Sequence, residues 1–227
     1  MVNADLAHEL IDMAEEDLAA QGPIGELVER DPRFKAWVER VMTDPRLPLS
    51  LAVWDDGEPP AELVAVHAIL DRHDLRLAEI VDGHGWPGRS LVGEDGADAA
   101  WLLAQHCDRH HSLREGRLEA VTDAVARHDA DPRHLARLAD RIAMINGDGQ
   151  RFGTYAELDR AADTITWLFP AEGSLTDVDR CRREIGLPPL RDDLQEPEGA
   201  GPYRYRRTTA AYAWPSHHPL DSPSPAE

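Results

Sequence analysis

"AAWLLAQHCDRHHSLREGRLEAV", residues 99–121, reads as one helix whose apolar run is interrupted in its middle by Gln105, His106, Asp108, His110 and His111. Such groups are costly to bury unless hydrogen-bonded. The stretch therefore either lines a solvent-accessible pocket or joins helices through a polar network. Read as a helix, it sets the class of the chain as all-α and marks the place where chemistry is to be sought.

Outward from it, the apolar periodicity stays helical. Residues 4–20 carry Leu6, Leu10, Met13, Ala14 and Leu18 at helical spacing, with Asn3 or Asp5 as cap and an end near Gly22-Pro23. Residues 24–42 continue with Ile24, Leu27, Phe34, Trp37 and Val41, split in two at Asp31-Pro32. A Pro-bounded loop follows, with a short extended piece at 49–54. A long helix then runs from Ala61 to Gly83 on Leu63, Val66, Leu70, Leu77 and Ile80. "GHGWPGRSLVGEDGA", 83–97, is too rich in Gly and Pro to be regular.

The opening helix is expected to reach His128, and Asp131-Pro132 to start another, closed at Asn146-Gly147. After "GDGQRFGTYAEL" comes a short helix or irregular segment. A last helix over 176–185 is capped by Ser174 or Thr176 and stopped by Gly186. The expectation is a single helical domain of about six to eight helices with irregular functional loops, over residues 1–195. A Pro- and Arg-rich tail, 196–227, is expected to be flexible or partly docked through Tyr203, Tyr205 and Trp214.

Among the 227 residues, 43 acidic against 24 basic side chains give a formal charge of −19. That balance repels nucleic acid and anionic membrane surfaces. It directs attention to small-molecule or protein partners and leaves the oligomeric state open. No window approaches the roughly 18 apolar residues of a membrane helix. The N-terminal stretch is too acidic for a secretory signal. Cys107 and Cys181 are far apart and form no Cys-x-x-Cys pair. The expected compartment is the cytoplasm.

Two chemistries fit the polar middle of the opening stretch. On a helix, His106 and His110 are i and i+4 and share a face. With Asp71 or His73 from the preceding helix they would suit a divalent metal. Alternatively, Asp108, paired with Arg72, Arg89 or Arg141, belongs to a network that holds His106 as a general base. Cys107 reads as packing. "GDGQRFGT" follows a helix and lacks phosphate-loop spacing, so it makes a tight turn that fixes Gln150 and Arg151.

Taken in order, "HGWPGRSLVGEDGADAAWLLAQHCD" (84–108), "LARLADRI" (135–142), "GQRFGT" (149–154) and "VDRCRREIGLPPL" (178–190) resemble a bacterial family known as domain of unknown function 6624. The resemblance covers roughly residues 4–194. It implies a shared site of Trp86, Ser90, Gln105, His106, Asp108, Asp140, Arg141, Gln150 and Thr154 converging on one pocket. Relatives carry Ala where Cys107 stands, Gln where Tyr155 stands, Gln in the region of Arg114, and an acidic residue at the position of His110.

The leading expectation is a cofactor-free enzyme of specialised bacterial metabolism acting on a small molecule by elimination, isomerisation, cyclisation or hydrolysis. His106 would move the proton and Asp108 or Asp140 would orient it. Arg141, Gln105 and Gln150 would bind a carboxylate, carbonyl or oxyanion, and Trp86, Ser90, Thr154 and His73 would complete the substrate pocket. The alternatives are a divalent-metal enzyme built on His106, His110 and Asp71, and a non-catalytic protein-interaction module in which the polar set is structural.

Overall fold

The computed structural model describes residues 2–42, 48, 50–106, 108–159, 164–167, 174–190, 194–195 and 204–207. Its body is all-α. Among these residues it has seven helices: α1 (Ala4–Arg30), α2 (Pro32–Val41), α3 (Ala61–His84), α4 (Arg89–His106), α5 (His111–Ala126), α6 (Pro132–Asn146) and α7 (Leu175–Glu184). Four short strands join them: β1 (Ala156–Asp159), β2 (Thr164–Trp167), β3 (Leu194–Gln195) and β4 (Arg204–Arg207). They form one antiparallel sheet in the order β1-β2-β4-β3.

That sheet replaces the short helix or irregular segment expected after residue 155. β4 lies in the expected tail, and its Tyr205 backbone pairs with Ile165. Most of the tail, including Tyr203 and Trp214, lies outside the described residues, as does Cys107.

Helix starts follow local chemistry. The Asp31 side chain accepts from Arg33 N at 2.8 Å and Phe34 N at 3.3 Å, with Pro32 in the first turn. Asp131 does the same for α6, accepting from Arg133 N at 2.8 Å, and Gly147 closes that helix at φ 85°. Ser174 and Asp177 form a reciprocal capping box on α7. Each satisfies backbone N–H groups that a helix N-terminus leaves unpaired.

Three boundaries differ from expectation. α1 runs through Pro23 instead of stopping there. Proline removes one intrahelical hydrogen bond, but the two halves of α1 are anchored in different apolar clusters that hold the helix in one piece. Leu6, Ala7, Leu10, Met13 and Ala14 pack with α3, α4, α5 and α6. Ile24 and Leu27 pack with Phe34, Trp37, Leu63, Val66 and Leu70. α4 begins at Arg89, inside the Gly-rich stretch, and absorbs the irregularity as a kink at Gly93, φ 75°.

The third difference concerns the opening stretch, which is two helices and not one. α4 ends at His106 and α5 starts at His111. α3 holds the break open: Asp74 Oδ2 accepts from His110 N at 3.1 Å, and Arg109 Nε donates to Asp71 Oδ1 at 2.6 Å. Side chains thus take the place of the helical ladder.

Between the two clusters the helices change character. On α1, Asp17 and Gln21 fall between Ala14 and Ile24, and on α3, Asp71, His73 and Asp74 fall between Leu70 and Leu77. The α4–α5 break meets this polar belt. No helix among the described residues is long and apolar enough to cross a membrane.

Candidate functional site

His106 closes α4 with its ring 19% exposed, and its Nδ1 lies 2.6 Å from Oδ1 of Asp17, a fully buried carboxylate of α1. A carboxylate facing Nδ1 favours the tautomer with the proton there and the lone pair on Nε2, while Gln21 Nε2 lies 3.5 Å from the same Nδ1. Gln21, one turn beyond Asp17, donates to the same Oδ1 at 3.1 Å. Asp17 Oδ2 is buried with no hydrogen-bond partner among the described residues.

Two residues on, Asp108 is 2% exposed and is gripped by Arg141, whose Nε lies 3.1 Å from both carboxylate oxygens and whose Nη2 donates to Oδ2. Ser50 Oγ adds a donor at 3.0 Å. Burial pulls the Arg141 guanidinium down, and the Asp108 carboxylate and the Tyr155 phenol more than offset it, leaving it above its ordinary value. Tyr155 also donates to Oε1 of Gln105 at 3.2 Å, while Nε2 of that buried amide has no partner among the described residues.

A loop clamp positions Tyr155. Asp140, fully buried on α6, accepts from the backbone N–H groups of Arg151, Phe152 and Thr154 at 2.7–2.9 Å and from Thr154 Oγ1 at 2.8 Å. Gln150 donates to the Tyr155 carbonyl at 2.8 Å and accepts from its N–H at 2.7 Å. The neighbours Asp140 and Arg141 therefore divide the work: one ties the loop, the other ties Asp108.

Behind the break, α3 and α5 are joined by a buried ion pair, Arg117 Nη2 to Asp74 Oδ1 at 2.5 Å. Arg114, one turn earlier on α5, is 7% exposed, and its Nε and Nη1 are buried with no hydrogen-bond partner among the described residues.

Several expected roles need correction. The partner of His106 is Asp17, not Asp108 or Asp140. Arg141 has its fork on Asp108, Thr154 has its N–H and hydroxyl on Asp140, and Gln150 bonds the Tyr155 backbone, so each of the three positions another part of the protein. Ser90 lies elsewhere, its N and Oγ bound to the Asp129 carboxylate at 2.6 and 2.8 Å. Trp86 is core, 3% exposed, beneath a groove of about 400 Å³ between α3 and α5. His73 is buried and bonded to Glu16 at 2.9 Å.

The shared helix face of His106 and His110 does not exist, because the helix ends between them. His110 Nε2 instead lies 3.8 Å from Asp71 Oδ1. Among the described residues no three His, Cys, Asp or Glu side chains are grouped to hold a metal.

Asp17, Gln21, Ser50 and Arg114 were not among the expected site residues. Two left a signal. Asp17 stands seven residues after Leu10 and four after Met13, on the apolar stripe of its helix. Arg114 and Arg117 precede Val121 and Ala124 at helical spacing on a stripe that is buried throughout.

Comparison with curated proteins and with solved structures gives no match. The family model of DUF6624, a family of unknown function, matches residues 36–203, a span that holds Gln105, His106, Asp108, Asp140 and Arg141 but begins after Asp17. The chain belongs to that family.

Proposed function

We propose that the protein is an enzyme that moves a proton on a small molecule, with His106 as the catalytic residue and Asp17 as the residue that positions it. The observation that carries this reading is the 2.6 Å contact between a fully buried carboxylate and Nδ1 of a ring that is still partly exposed. Such a partner selects one tautomer and stabilises the imidazolium that forms when Nε2 takes a proton. Asp17 Oδ2, buried with no hydrogen-bond partner among the described residues, supports the reading too, since most buried polar groups of a structural network are satisfied.

Elimination, isomerisation, cyclisation and hydrolysis all use such a group. A small-molecule substrate fits the acidic chain, whose charge of −19 disfavours nucleic acid. A cytoplasmic enzyme of specialised bacterial metabolism is the setting this reading gives it.

The test is incubation with a panel of small carboxylic acids, esters and lactones in deuterium oxide, read by mass spectrometry. Solvent deuterium or product should appear with wild type, vanish with His106→Asn and fall about 10²-fold or more with Asp17→Asn. Equal turnover by His106→Asn would overturn the reading.

A further inference from the structure

We infer that Arg114 and Gln105 form the substrate's anion subsite, and that the group they take is a carboxylate of a small molecule. The role of this subsite in catalysis rests on the proposed acid–base reading; its binding chemistry does not.

Charge counting comes first. Asp108, Arg117, Asp74 and Arg141 are the charged groups that act most strongly on Arg114. Two of the guanidiniums are already matched, Arg141 by Asp108 and Arg117 by Asp74. Arg114 is a further guanidinium acting with these two already paired carboxylates, and it has no ion pair of its own among the described residues. Its burial is unfavourable without an anion. Desolvation accordingly draws Arg114 below its ordinary value, only partly opposed by Asp108 and Asp74.

Hydrogen-bond counting points the same way. Arg114 Nε and Nη1 and Gln105 Nε2 are buried donors with no partner among the described residues. As placed, the Gln105 amide accepts the Tyr155 hydroxyl on Oε1 at 3.2 Å and presents Nε2 as the unpartnered end. Tyr155 also interacts with Arg141, which holds Asp108, and these same two charged groups act on Arg114, so both donors flank the Asp108–Arg141 pair. A carboxylate supplies one negative charge and two accepting oxygens, which matches an unpaired guanidinium and a second donor side chain. Gln105 also precedes His106 directly, which puts the subsite next to the proposed base in the chain.

The probe is sodium acetate, titrated into 15N-arginine-labelled full-length protein against sodium chloride at equal ionic strength. The Arg114 Nε–H resonance is assigned through the backbone in wild type, so no variant has to fold for the result to count. The expected result is a saturable shift of that resonance with acetate, absent with chloride. Arg114→Lys and Gln105→Leu should each weaken acetate binding by about tenfold or more. No acetate response, an equal response to chloride (an adventitious ion only), or a response to phosphate alone would overturn the inference.

His106→Asn separates the two claims. An acetate shift that persists while turnover is lost supports both. Turnover that depends on His106 without any acetate shift removes the subsite alone. An acetate shift with turnover indifferent to His106 removes the catalytic reading alone.

Discussion

The Asp17 carboxylate, sealed in α1, holds Nδ1 of His106 at 2.6 Å across the seam where two apolar clusters meet. Neither residue is near the other in sequence, and the contact exists because the N-terminal half of α1 packs along α4. Replacing Asp17 by Asn keeps the volume but puts an amide where a carboxylate accepted. Turnover should fall about 10²-fold or more with little change in KM, and the melting temperature should drop only modestly. A large KM effect with unchanged kcat would place Asp17 in binding.

The Asp74–Arg117 pair is closed off from water on both sides, whereas Asp71 and Arg109 are 41% and 29% exposed. Arg117→Met leaves an uncompensated buried carboxylate and should cost about 3–5 kcal/mol in urea unfolding. Arg109→Met should cost about 1 kcal/mol or less from its ion pair. Equal costs would mean that the α3–α5 pair is open to solvent.

Asp140 collects four hydrogen bonds from a single loop. Asp140→Asn turns an N–H donor toward the Thr154 N–H and should destabilise by about 2–3 kcal/mol. Because the loop carries Tyr155, the same variant should also perturb the Gln105 side-chain amide resonances in an NMR spectrum. Unchanged Gln105 resonances would disconnect the loop from the site.

His134 stacks on Trp101 with ring centroids 4.4 Å apart and planes at 13°. Burial pulls its pKa down to about 4, against Asp131 and with Arg133 and Arg89. An unfolded histidine titrates near ~6.5, so between those values the unfolded chain binds the proton and the folded one does not. The contribution is fully present above pH ~6.5 and is lost as pH falls toward about 4, a change on the order of 3 kcal/mol. The melting temperature should therefore fall between about pH 7 and about pH 5. His134→Phe, which keeps a ring on Trp101, should flatten that interval; identical slopes would contradict it.

What could be read from the sequence was what local chemistry decides. Asp31-Pro32, Asp131-Pro132 and Ser174 mark helix starts through bonds within one turn, and they lie where expected. The break at 108–110 was not legible, because no Gly or Pro marks it. It is made by Asp71 and Asp74, far back on α3. The strand "TITW", 164–167, has β-branched residues, but its near partner "AELD" has none to mark a strand, and its other partner "RYRR" begins at 204, a distance that leaves no local pattern. At the site, His106, Gln105, Asp108 and Arg141 stood out as polar groups in apolar periodicity. Asp17 and Arg114 were hidden on stripes whose other members are apolar.

The most direct test of the account is the tautomer of His106, read from a long-range 1H–15N spectrum at a pH well above the ordinary imidazole range. The account predicts a proton on Nδ1 and a bare Nε2 in wild type, with that preference lost in Asp17→Asn. A wild-type ring protonated on Nε2 would leave no lone pair for the substrate and would contradict the account.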